Sequence, residues 1–165
     1  MSFDLHFMPC RFDGSTEKKL NPFTNETVDA PKNAPLTKDE AAAVVSVIER
    51  AGAKRDPDGT IVLHTSDGAA AEIYGKSMTS ICMFAIRGAG VTPKLAQLLF
   101  DVLVAGNWVL LSDAAAITAN AGALQGMPDD DTFDDIVIVT SADQVRTLLL
   151  EGWKAFEKYA AKVVS

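Results

Sequence analysis

Histidine and cysteine are scarce in this sequence: His6, His64, Cys10 and Cys82 are the only ones among 165 residues. His6 and Cys10 have ligand-like side chains, but two positions do not close a tetrahedral zinc site. No CxxC or HxxxH pair supplies the rest, so no metal and no cofactor is expected. Two cysteines could form one disulfide, yet the chain opens Met1-Ser2-Phe3-Asp4-Leu5, with an acid where a secretory leader would place basic and then apolar residues. A cytoplasmic location and buried free thiols are the expectation.

Long apolar runs are also missing. The most apolar stretch, Leu95 to Leu111, is interrupted by Asp101, Gly106 and Asn107, so nothing approaches the roughly 20 apolar residues of a membrane span. Catalytic signatures are absent in the same way. There is no G-x-S-x-G elbow, and Gly88-Ala89-Gly90 is followed by neither a P-loop Lys-Ser/Thr nor the third glycine of a dinucleotide fingerprint. These glycines read as a strand-to-helix turn that needs positive φ.

The most informative gap is in basic residues. Between Lys94 and Arg146 no Lys, Arg or His occurs, while Asp101, Asp113, Asp129, Asp130, Asp131, Asp134, Asp135 and Asp143 all do. The remaining 14 acids and 15 bases nearly cancel, so the formal net charge of −7 is regional. Nucleic acid is disfavoured as a partner, because phosphate backbones require a basic footprint. The segment Pro128 to Asp135 carries five carboxylates around Phe133. Its plain reading is a solvated loop; its functional reading is a docking surface, made of Asp129, Asp130, Asp131, Phe133, Asp134 and Asp135, for a basic protein. The spacing misses the D-x-D-x-D-G calcium loop.

What is present describes one α+β domain over residues 1–165, since length and an apolar fraction of 48% suit a single core. Phe3, Leu5 and Phe7 alternate with polar residues as in a half-buried strand, which Pro9 ends or marks as an edge. Residues 13–36 read as a long polar connection, a binding loop or covering flap. Thr37 and Glu40 form a capping box for a helix over 38–51, with Gly52 as its stop. Ser66-Asp67-Gly68 joins strands Thr60–Thr65 and Ala69–Gly75 in a hairpin, and Ser77–Arg87, apolar on both faces, reads as a central strand. Thr92-Pro93 opens a second helix that Gly106 stops.

Trp108–Leu111 follows as a short strand, in a crossover that would bring parallel pairing into the sheet. Residues 112–126 read as a poor helix or packed loop. Ile136–Thr140 reads as a strand, and Ser141 with Gln144 starts a final helix to about Val163. The sum is a two-layer sandwich, a mostly antiparallel meander with three to four helices.

Met1-Ser2-Phe3-Asp4-Leu5 together with Asn21-Pro22-Phe23-Thr24 resembles the start of small uncharacterised bacterial proteins, some of them of toxin-immunity type. The resemblance covers about 25 residues and implies a cytosolic protein that binds and neutralises a partner without catalytic residues. Three functions follow from the sequence. The first is a non-catalytic, immunity-like protein that docks a basic partner through 128–135. The second is a small enzyme built on Cys82, His64 and Glu72, which all fall on the strands of the meander. The third is a homo-oligomeric accessory protein that pairs through the final helix or a sheet edge.

Overall fold

Strand β1 (Phe3–Met8) buries Phe3, Leu5 and Phe7 and leaves Asp4 exposed, as its period of two requires. A computed structural model describes residues 2–75, 78–113, 115–124 and 136–164. Pro9 ends β1, but the strand is central rather than an edge: β7 (Cys82–Gly88) flanks one side and β8 (Val109–Leu111) the other, both antiparallel to it. The main sheet has eight strands. From β8 it runs outward through β9 (Ala116–Thr118) to β10 (Ile136–Ile138), and from β7 through β6 (Ala69–Tyr74) and β5 (Ile61–His64) to β4 (Lys54–Arg55). All neighbours pair antiparallel except β9 and β10, so the sheet is mixed.

Three helices accompany the sheet: α1 (Lys38–Arg50), α2 (Pro93–Gly106) and α3 (Ala142–Val164). Their apolar stripes share one core with the inward residues of the sheet, among them Val44 and Ile48 of α1, Leu95, Leu99 and Val102 of α2, and Val145 and Leu149 of α3. At its centre Phe7 lies 5.4 Å from the Phe84 ring and 5.3 Å from Trp108. The Trp108 indole N–H is fully buried and donates to the Val102 carbonyl of α2 at 3.0 Å, so the polar atom of this core ring is satisfied. A second, smaller cluster of Cys10, Val109 and Ala123 lies under the 3-10 turn Ala121–Leu124.

The capping signals act as the sequence anticipates. Glu40 N–H donates to the Thr37 hydroxyl at 3.1 Å, and Thr37 N–H donates back to Oε2 of Glu40 at 2.9 Å. At α3, Gln144 N–H donates to the Ser141 hydroxyl, but the Gln144 side chain reaches back to Thr140 N–H instead of Ser141.

Four expectations need correction. Residues 13–36 are no structureless connection: β2 (Phe12–Leu20) and β3 (Thr27–Asn33) form a separate antiparallel ribbon. Almost every ribbon residue is exposed, so no apolar alternation marks it, and cross-strand pairs such as Lys18–Asp29 at 2.9 Å take the place of a core. The strand, helix, strand crossover does not pair its own strands, because β1 lies between β7 and β8; parallel pairing enters only at β9 and β10. Gly106 does not stop α2. Asn107 does, in the left-handed region at φ 51°, while a Cβ on Gly106 would lie 2.3 Å from Nε1 of Trp108. Within 112–126, the described residues hold β9 and the 3-10 turn, not an α-helix.

Candidate functional site

Cys82, His64 and Glu72 do not meet. In register, Cys82 stands opposite Phe7 and shares the helix-facing side with Phe84 and Ile86. His64 and Glu72 alternate with the buried Leu63, Ala71 and Ile73, so they project from the other face. Burial pushes the Cys82 thiol up to about 12 and the Cys10 thiol up to about 11, which keeps both protonated at neutral pH. Glu72 has other partners: Arg87 at 3.1 Å, and the Tyr74 hydroxyl, which donates to it. That hydrogen bond raises the Tyr74 phenol.

Both histidines sit on this open face, yet β7 and β6 lie between their strands, a separation of roughly 14 Å at normal strand spacing. Among the described residues, no group of three or more His, Cys, Asp or Glu is placed to hold a metal ion. The docking residues expected from the sequence, Asp129, Asp130, Asp131, Phe133, Asp134 and Asp135, lie outside the described residues.

The glycine turn before α2 carries no anion site. Gly88 and Gly90 hold φ values of 70° and 73°, as the turn requires. The helix N-terminus behind them is already filled by a carboxylate: Asp67 accepts from the Thr92 hydroxyl at 2.9 Å and from Lys94 N–H at 2.9 Å. Burial works against this charge, but hydrogen bonds from Thr65, Lys94 and Thr92 outweigh it and hold the Asp67 carboxyl below its ordinary value.

Sequence reasoning missed a groove of about 850 Å³ between the start of β1, the end of β8 and α3. It forms because β8 is short. Its last partner on β1 is His6, so Phe3–Leu5 carry a strand on the β7 side only, among the described residues. Phe3, Ala155 and Phe156 give the groove an apolar wall, on which Phe3 and Phe156 pack at 6.0 Å. Asp4, Asp113 and Glu151 surround it together with His6 and Tyr159, and among the described residues no lysine or arginine lines it. The alternation of Asp4 and His6 with Phe3 and Leu5 was the one local trace of this site; the other walls come from residues more than 100 positions away.

A second exposed feature is the tip of the β2–β3 ribbon. The Asn21 side chain accepts from Phe23 N–H at 2.9 Å and from Thr24 N–H at 3.3 Å, which orders a turn whose Phe23 ring is 96% exposed.

No protein-family model matches the chain, and neither does any curated protein or solved structure.

Proposed function

We propose that this chain is a non-catalytic, immunity-like protein that captures a basic partner protein. The observation that carries this reading is the groove beside β1, where three carboxylates meet an apolar wall and, among the described residues, no lysine or arginine lines the site. Clustered like charge of this kind steers and retains a partner of opposite sign. The sequence adds five further carboxylates at Asp129, Asp130, Asp131, Asp134 and Asp135, with Phe133 among them as an apolar anchor. The Cys82 thiol, the nucleophile of the second hypothesis, is held protonated by burial and faces away from His64 and Glu72. We read the helices as one layer and the sheet as the other, which leaves the second sheet face and this groove free for contact.

Calorimetric titration of the whole chain with polylysine and with polyglutamate tests the proposal. Polylysine is expected to bind, more weakly as salt rises, and polyglutamate not to bind. Replacing Asp129, Asp130, Asp131, Asp134 and Asp135 with Asn is expected to weaken polylysine binding and flatten its salt dependence. Equal behaviour of the two polymers, or no binding of either, overturns the reading.

A further inference from the structure

The open edge of β1 decides what form the occupant of the groove takes. We propose that it is an extended segment of the basic partner, which adds as a short strand to Phe3–Leu5 with apolar side chains toward Phe3 and Phe156 and cationic ones toward Asp4. This rests on the basic-partner reading and specifies it.

The argument begins with the backbone. A strand flanked on one side only presents N–H and C=O groups toward the other, and these are the groups a further strand pairs with. Here β8 occupies that position beside His6, Phe7 and Met8 and then turns away, and among the described residues no strand continues its ladder past the exposed Asp4. The side chains set the pattern. An added strand sends alternate residues to opposite faces. On the helix side it meets Phe3, Ala155 and Phe156, with Glu151 of α3 at the rim; on the other it meets Asp4, with Asp113 at the turn after β8. A segment alternating apolar and cationic residues matches both walls at once. A second copy of this chain is opposed by the long-range repulsion between two molecules that each carry a net charge of −7.

The experiment uses the whole chain, a short peptide alternating Lys and Val, and a control of the same composition with Lys and Val in separate blocks. The alternating peptide is expected to bind about tenfold more tightly than the block peptide, since only the extended pattern places both side-chain types. Its binding should slow hydrogen exchange at the amides of Phe3–Leu5. Asp4→Asn and, separately, the groove-filling Ala155→Trp should each weaken the alternating peptide several-fold. Both positions are exposed, and unchanged circular dichroism would verify that the variants fold.

Equal affinity for the two peptides, or protection that maps away from Phe3–Leu5, overturns strand addition. If both peptides and polylysine then bind with the same salt dependence, the basic-partner reading still stands. If none of the three binds, both fall together.

Discussion

A Cβ placed on Gly90 would lie 2.1 Å from Cε2 of Trp153, so α3 reaches the turn before α2 only because this position has no side chain. Trp153 in turn meets Phe3 edge-on at 5.8 Å and ties β1 to the same point. Gly90→Ala therefore has to displace an indole as well as hold φ at 73°. We expect it to cost about 3 kcal/mol in urea unfolding. The control is Gly52→Ala, at φ 90° with nothing within 4 Å, which should cost only about 1 kcal/mol. Equal losses would mean that the indole yields freely.

Asp67 fastens the β5–β6 turn to the start of α2. Its carboxyl is held below its ordinary value, so its stabilising effect is full above the unfolded value of about 4 and is lost as pH falls through the lower folded value. Asp67→Asn should lower the thermal midpoint at pH 7, and the gap between variant and parent should close in acid below about pH 4. A gap that persists unchanged at acid pH would refute the assignment.

Glu40 joins three elements. Its Oε2 accepts from Thr37 N–H and from the Arg11 guanidinium, each at 2.9 Å, and Oε1 faces the Asn107 amide at 3.5 Å. Arg11 Nε and Asn107 Oδ1 beside it are buried without a partner among the described residues, so the cluster has no polar contact to spare. Glu40→Ala is expected to lose about 2 kcal/mol by chemical denaturation, more than a capping residue alone, because Arg11 is left unpaired. A loss under about 0.5 kcal/mol, the range of an ordinary surface change, would contradict this.

With thiols pushed up to about 11 and about 12 by burial, both cysteines stay overwhelmingly protonated at pH 8, Cys82 more so than Cys10. Iodoacetamide should label neither in the native protein and both in urea, as mass spectrometry would read. Rapid native labelling of Cys82 would revive the enzyme hypothesis.

The ribbon tip offers the opposite case. Phe23 touches nothing that folding requires, so Phe23→Ala should shift stability by less than about 0.5 kcal/mol. A larger loss, measured by thermal melting, would show that the ribbon contributes to the core.

Much of the local structure was legible. The capping box at Thr37 and Glu40, the Asp67-Gly68 turn and the Thr92-Pro93 helix start are written within four residues of one another, which is the reach of the hydrogen bonds they serve. The alternation of Phe3, Leu5 and Phe7 marked a strand, but Pro9 said nothing about its neighbours, and β1 proved central. The ribbon escaped notice because a strand pair exposed on both faces has no apolar period to read. Gly106 looked like a helix stop until Trp108, two residues on, proved to need its space.

The sequence by itself determined the three helices with their capped starts, the strands that carry an apolar pattern, and the concentration of negative charge between Lys94 and Arg146, because propensity, capping and charge are properties of neighbouring residues. Only the tertiary structure decided that β1 lies between β7 and β8, that Cys82 turns its back on His64 and Glu72, and that β8 stops at the level of His6, so that among the described residues Phe3–Leu5 pair with β7 alone. Strand order and facing are settled by burial between segments far apart in the chain, and no local pattern encodes which of several compatible strands will pair.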